Sequence, residues 1–292
     1  MTPARRALTG FTLVELVVVI SIAAIVAVFM MFFLQAPVDV FVADRARADL
    51  VDSADRILRS VDADVRTALP NSLRQSAAGG VVALELLATS GVARYYAPGE
   101  KAYLGGAQEV KEELAIGSAD PSFYTFDAFV PSAVGSYLAV NPQGAGTYAM
   151  AGVMTPFASI GAPVPPPAVV PGEAWVQLPA AGFNFATGSA THSVFLVSSP
   201  VSYLCDPAAG TLRRYSGYAP AAAQPTTNAQ LLAAGAASSL IAQNVTACTT
   251  LSSVAAPASN KFNQLVVLNI TLGANGGETL PVFHEAAVGY VP

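Results

Sequence analysis

Glu15 is the one charged residue between Phe11 and Leu34, in a run of otherwise apolar side chains. A carboxylate at the centre of a bilayer costs about 2.5 kcal/mol or more and is kept for function or for pairing. Other material for chemistry is sparse. His192 and His284 are the only histidines, so a His-based metal site or catalytic dyad has little to build on. Serines and aspartates are present, but no G-x-S-x-G nucleophile elbow accompanies them. The Gly-Gly pairs at 79–80, 105–106 and 276–277 lie in turn contexts. They lack the Lys-Ser/Thr or strand–helix frame of a phosphate loop. Glu109, Glu112, Glu113 and Asp120 offer oxygen ligands for calcium, without the alternating Asp/Asn and central Gly of an EF-hand. His284-Glu285 reads as a satisfied strand-edge pair, and Trp175, Tyr95 and Tyr96 as packing residues. Asn244-Val245-Thr246 and Asn269-Ile270-Thr271 match the glycosylation acceptor pattern and read as chance matches. The expectation is a protein that is not an enzyme and holds no cofactor, calcium being the one metal to consider.

Cys205 and Cys248 are the only cysteines and lack the CxxC spacing of a zinc or redox site. In an exported body they read as one disulfide closing a loop of about forty residues, contributing on the order of 3–4 kcal/mol. The alternative is two free buried thiols. The chain is 53% hydrophobic and 11% charged, well under the roughly one quarter of ordinary soluble domains. Its formal net charge is −5, with no basic block beyond Arg5-Arg6, so nucleic acid is excluded as a partner.

The element that must position Glu15 is the apolar segment itself. Residues 11–34, at 1.5 Å each, make roughly 36 Å of helix, enough to cross a hydrocarbon core of about 30 Å. Arg5 and Arg6 precede it, which places the N-terminus in the cytoplasm and the body outside. Three readings compete. A cleaved secretory signal needs a shorter apolar core and a small-residue site after it, and Leu34-Gln35-Ala36-Pro37 matches that site poorly. A plain signal anchor fits the length and leaves Glu15 unexplained. The third reading uses the whole string: Arg5-Arg6, Gly10, Phe11-Thr12-Leu13-Val14-Glu15-Leu16, then the apolar run.

That string closely resembles the class III signal of type IV pilins and pseudopilins. The resemblance implies cutting by a prepilin peptidase between Gly10 and Phe11, with N-methylation of Phe11. Glu15 then becomes the fifth residue of the mature chain, where the family carries its glutamate. In a filament of bundled apolar helices that carboxylate would pair with the N-terminal amine of a neighbouring subunit, because an unpaired buried charge costs several kcal/mol. Interaction with an assembly-platform protein in the membrane is the competing account.

Helix is expected past the membrane as well. Leu50, Ala54, Ile57, Leu58, Val61, Val65, Ala68 and Leu69 recur at three- and four-residue steps and mark one apolar face. Asp52–Arg56, Asp55–Arg59 and Asp62–Arg66 are acid-before-base pairs on a solvated face. Pro37 should kink or interrupt the helix and Pro70 should end it. The rest reads as mostly strand: a hairpin of Val81–Ala88 and Val92–Tyr96 about Thr89-Ser90-Gly91, and Val194–Leu204 broken at Pro200. Asp206–Gly210 should turn the chain into Thr211–Tyr218, and Leu265–Leu272 with Thr279–Val291 should form a further hairpin. Residues 131–190 read as long loops with a few strands, and Gln230–Ala247 as holding a short helix. The expected class is α+β: a long N-terminal helix, half transmembrane and half amphipathic, packed on a mainly antiparallel β-sheet head. The expected divisions are a leader at 1–10, a membrane and polymerisation helix at 11–34, the periplasmic half of the stem at 35–70 and the head at 71–292.

Four further strings extend the likeness: ADLVDSADRILRSVDADVRTALPNSLR (48–74), VSYLCDPAAGTLRRYSGY (201–218), NVTACTT (244–250) and the ending from Leu265 to Pro292. They resemble minor pilins, nearest to minor pilin-like MSHA biogenesis proteins, and the J-type minor pseudopilins of type II secretion. Some pseudopilins bind calcium. The resemblance implies a minor type IV pilin that starts or caps a filament near its tip. A minor pseudopilin of type II secretion and a tip adhesin are the alternatives. Implied partners are other major and minor pilins, prepilin peptidase, an inner-membrane assembly platform and membrane lipid. The implied location is the inner membrane, single-pass with the head in the periplasm, and the extracellular pilus after assembly.

Overall fold

The computed structural model describes residues 10, 12–104, 107–110, 112–126, 137–161, 172–254, 265–274 and 277–289. Two compact units divide the chain, Met1–Asp49 and Leu50–Pro292. Helix α1, Leu13–Arg66, runs 54 residues without a break. Of the kink or interruption expected at Pro37, the interruption does not occur. One proline withdraws a single N–H from the ladder, at roughly 3 kcal/mol, and intact turns on both sides carry that cost.

In the second unit the apolar face of α1 is buried as its spacing predicts. Ile57, Val61 and Val65 share a core with Val82, Leu84 and Leu86, with Val201, Tyr203 and Leu212, and with Leu268 and Ile270. Away from that face lie the i, i+4 pairs Arg56–Asp52 (3.3 Å) and Arg59–Asp55 (2.7 Å), both exposed, and Arg66–Asp62 (2.8 Å), in which Asp62 is half-buried. Each is worth a few tenths of a kcal/mol.

The helix ends at Arg66, four residues short of Pro70. A sheet edge stops it. Leu69 donates its N–H to the Leu87 carbonyl (2.7 Å), and the Thr67 carbonyl accepts from the Thr89 amide (2.8 Å) and hydroxyl (2.6 Å). Gly289 also packs here: a Cβ at this position would lie 2.8 Å from the Arg66 carbonyl oxygen, so a larger residue would push the chain off the helix end.

Strands β1 (Arg74–Ala78) and β2 (Val81–Arg94) form an antiparallel hairpin through Gly79-Gly80, both at positive φ. Two left-handed residues are what a tight hairpin turn requires. No turn forms at Thr89-Ser90-Gly91; β2 continues through it. Pairing with β10 (Ser193–Asp206) shifts register there, Leu196 facing Gly91, Val197 facing Thr89 and Pro200 facing Leu87. The shift also lets β10 pass Pro200 without breaking, since irregular residues and a missing N–H are tolerated at a bulge. Both long strands are buried on two faces. In β10, Leu196, Phe195, Tyr203 and Leu204 fall into four different apolar clusters.

Between them in sequence lie β3 (Lys101–Leu104) paired with β4 (Ala107–Val110), β5 (Ser122–Thr125), β6 (Tyr137–Val140) and a 3-10 turn at Gly144–Ala149. β7 (Met154–Pro156), β8 (Ser159–Gly161) and β9 (Ala174–Gln177) follow. β6 and β7 join the main sheet through β10, and β5, β9 and β8 make a small sheet. In the described part of 131–190 the short strands β6 to β9 stand between longer non-strand stretches, as the sequence implies.

β10 turns at 207–210 into β11 (Thr211–Ser216), with Asp206 facing Thr211 as the sequence implies. The short helix expected near here is α2 (Asn228–Ala233), which starts two residues before Gln230 on a Thr227/Gln230 capping box. The remainder of that stretch is β12 (Ala237–Gln243) and the start of β13 (Val245–Val254). β14 (Leu265–Gly273) and β15 (Thr279–Ala287) pair as the expected hairpin and, with β13, form a three-stranded sheet. The result is α+β, an N-terminal apolar helix followed by a mainly antiparallel β head.

Candidate functional site

Gly10 is exposed and non-helical, and an added Cβ there meets nothing. Phe11 and residues 1–9, on which the cleavage and methylation expectations partly fall, lie outside the described residues. Thr12 opens the helix. Its carbonyl accepts the first intrahelical bond, from the Leu16 amide (3.1 Å), and its Oγ1 accepts from the Glu15 amide (3.3 Å). Glu15 sits in the first turn, exposed among Leu13, Val14 and Leu16. A negative charge so near a helix N-terminus gains about 0.3–1 kcal/mol from the helix dipole. Leu13–Met31 is long and apolar enough to cross a membrane, and none of it is buried by the rest of the chain. An apolar surface of that size calls for lipid or protein around it.

In the unit Leu50–Pro292, polar groups tie the helix to the sheet. Arg214 of β11 donates to Asp64 of α1 through Nε (2.6 Å) and Nη2 (2.9 Å). Tyr203 of β10 donates its hydroxyl to the same carboxylate and sits 2.9 Å from Ser60 Oγ. The Asp64 hydrogen bonds hold the Arg214 guanidinium above its ordinary range, and burial, then the Asp64 charge, pushes the Tyr203 hydroxyl up. His284 Nε2 lies 3.6 Å from Asp62 and has no hydrogen-bond partner among the described residues, so the strand-edge pair is less satisfied there than its sequence suggested.

Cys205 of β10 and Cys248 of β13 are joined by a disulfide, Cα–Cα 6.4 Å, which links the main sheet to the three-stranded sheet. A second polar centre is fully internal. Arg74 donates to Glu85 (2.6 Å) and to the carbonyls of Ala221 (2.8 Å) and Ala222 (2.7 Å), and covers the Tyr148 ring at 3.6 Å. Tyr218 donates to the other Glu85 oxygen at 2.8 Å. Burial raises the Glu85 carboxyl above its usual range, with Arg74 and Tyr218 opposing the shift. These groups pin the segment before α2 to the sheet. Sequence reasoning missed both centres, because Asp64–Arg214 and Arg74–Glu85 join residues with no periodic or motif relation.

The acidic set closes loops. Asp120 accepts from the amides of Ala115 (2.7 Å) and Ser122 (3.2 Å), Glu113 from the Gly99 amide (2.6 Å) and Glu112 from the Ser122 hydroxyl (3.1 Å). The Glu109 side chain lies outside the described residues. Among the described residues, no group of three or more His, Cys, Asp or Glu could hold a metal ion. Tyr95 and Tyr96 are buried, and Trp175 packs on Tyr124 at 4.6 Å between ring centroids.

Residues 5–31 match the prokaryotic N-terminal methylation motif. No curated protein and no solved structure matches the chain. The motif covers the arginines, Gly10, Glu15 and most of the exposed apolar helix, and it indicates processing by prepilin peptidase, assembly with other pilins and membrane anchoring. The N-terminal methylation motif on an apolar helix, followed by an antiparallel β head, supports a type IV pilin-like or pseudopilin protein with a structural role.

Proposed function

We propose that the protein is a minor type IV pilin, nearest in kind to MSHA-type minor pilins, that helps start or cap a filament near its tip. The observation that carries this reading is the methylation motif at residues 5–31 on an apolar helix that continues, unbroken, to Arg66. Such a helix inserts in a bilayer as a precursor and can later pass into a helical bundle, where its apolar surface stays out of water. Glu15 is then the register residue: a carboxylate in that bundle lowers its cost by pairing with a neighbour's N-terminal amine. Gly10–Phe11 is the processing bond, and Phe11 the methylated residue. The membrane-inserted form has its head in the periplasm, and the assembled form is outside the cell.

Two measurements test the reading. The intact mass of the chain from its native membrane should correspond to loss of Met1–Gly10 plus one methyl group, and replacing Gly10 with leucine should leave the leader attached. Photo-crosslinking from β14 and β15 in cells should capture other pilins. Capture of secretin-associated and exoprotein components would instead favour a type II pseudopilin, and an uncut N-terminus in wild-type membranes would end both readings.

A further inference from the structure

We infer that the head binds an acidic sugar unit in a cleft beside Arg213, on the face of the main sheet turned away from α1. The inference stands apart from filament assembly and uses residues of the head alone. Alternation along β11 sends its two consecutive arginines to opposite faces. Arg214 meets Asp64 of α1. Arg213, on the other face, is half-buried and makes no ion pair or side-chain hydrogen bond among the described residues. A guanidinium partly withdrawn from water with no anion beside it is costly, and a ligand carboxylate would remove that cost.

The space beside Arg213 is a cleft of about 250 Å³, between the ends of β10 and β11 and the chain entering α2. Its floor is apolar, because Leu204, Tyr215 and Val81 pack in one cluster. Polar groups with unused capacity stand around that floor. Asp206 accepts from the Ala209 amide through Oδ1 (3.0 Å), which leaves Oδ2 for another donor. Asn228 accepts from the Tyr215 hydroxyl through Oδ1 (2.7 Å), which leaves its amide N–H donors. The hydroxyls of Thr211 and Thr226 make no hydrogen bond among the described residues. Asp206 and Arg213 line the same cleft without pairing with each other, so the site has one cationic and one anionic side. Burial raises the Tyr215 hydroxyl and the Arg213 charge opposes that shift, which sets the charge close to the floor. A few polar groups converging over an apolar floor is the usual make-up of a small-molecule site. A sugar ring offers C–H groups to such a floor and hydroxyls to Asp206, Thr211, Thr226 and Asn228. The carboxylate of an acidic sugar matches the two-pronged fork of Arg213. A phosphate fits less well, because its second negative charge would face Asp206.

The test is isothermal titration calorimetry of the full chain in detergent micelles with sodium D-glucuronate, D-glucose and sodium acetate. D-Glucose keeps the ring and hydroxyls without the charge, and acetate keeps the charge without the ring. D-Glucuronate should bind about tenfold or more tightly than either, the factor set by a hydrogen bond to a charged group. Arg213→Gln breaks no bond of the head and should weaken D-glucuronate by about tenfold or more, to the level of D-glucose. Thr211→Val should weaken D-glucuronate about fivefold. Near-UV circular dichroism checks that both variants fold, and the wild-type comparison of the three ligands decides the matter if one does not. No binding of D-glucuronate to the wild type at about 10 mM, tenfold above a millimolar Kd, overturns the proposal. So does a folded Arg213→Gln or Thr211→Val variant that binds it as tightly as wild type. Acetate bound as tightly as D-glucuronate would make the cleft a bare anion site and overturn the sugar assignment. Tighter binding of tetraglutamate would give the cleft to an acidic protein segment and overturn it as well.

Discussion

Replacing Asp64 by asparagine removes the charge that holds α1 to β10 and β11 while keeping the side chain's shape. In the wild-type protein that carboxylate accepts two bonds from Arg214, at 2.6 and 2.9 Å, and a third from the Tyr203 hydroxyl. Hydrogen bonds to charged groups contribute about 1.5–3 kcal/mol each when well shielded. Here the side chains are 28% and 16% exposed for Arg214 and Asp64, so solvent screens part of the attraction. Asparagine loses the charge and one acceptor oxygen; with its oxygen in the Oδ2 position it keeps the Tyr203 and Arg214 Nε bonds, now uncharged on the acceptor side, and loses the Nη2 bond. The expected loss is about 2–3 kcal/mol of head stability, smaller than the ~3–5 kcal/mol for stripping a fully buried pair. The assay is urea denaturation of the full chain in detergent, disulfide intact, followed by near-UV circular dichroism. A double-mutant cycle with Arg214→Gln should give a coupling of about 1–2 kcal/mol, since the groups share bonds. Amide exchange in Leu50–Arg66 should rise in Asp64→Asn more than exchange in β14. A loss below about 0.5 kcal/mol with no coupling would show that apolar packing alone holds the helix and would refute the clamp.

The other outcomes are as direct. Glu15→Val should leave membrane insertion and the head's denaturation midpoint unchanged while abolishing recovery in sheared filaments; normal recovery would remove the register role. Glu85→Leu strands the buried Arg74 guanidinium and should cost about 3–5 kcal/mol, most of it recovered in Arg74→Met/Glu85→Leu, as a thermal melt would show. Cys205→Ser/Cys248→Ser opens a loop with a sequence separation of 43 and should lower stability by about 4 kcal/mol in the chain-entropy model, read by denaturant titration.

The features legible in the order of residues alone were those carried by local pattern. Residues 50–69 announced their buried face by spacing, and Ile57, Val61 and Val65 are in the core. The turn at 207–210 and the β14–β15 hairpin followed from Pro and Gly between alternating runs. Thr89-Ser90-Gly91 and Pro200 misled for one shared reason. Each is a turn or breaker signal alone, but β2 and β10 lie against each other and absorb both irregularities in one register shift. Pro37 does not interrupt α1, because the intact helix on either side carries the cost of one missing donor. The end of α1 at Arg66 rather than Pro70 is set by the edge of β2, whose residues follow about twenty positions later.

The sequence by itself determined the processing signal, the membrane-length helix and the place of Glu15 within it, because these depend on order and spacing along one continuous segment. It also determined that only two cysteines and two histidines were available. Only the tertiary structure decided that Asp64 meets Arg214, that Arg74 meets Glu85, and that the disulfide joins two sheets. Those pairings are set by which strands lie side by side, a long-range outcome of burying several apolar faces at once. No local window of the chain contains that information.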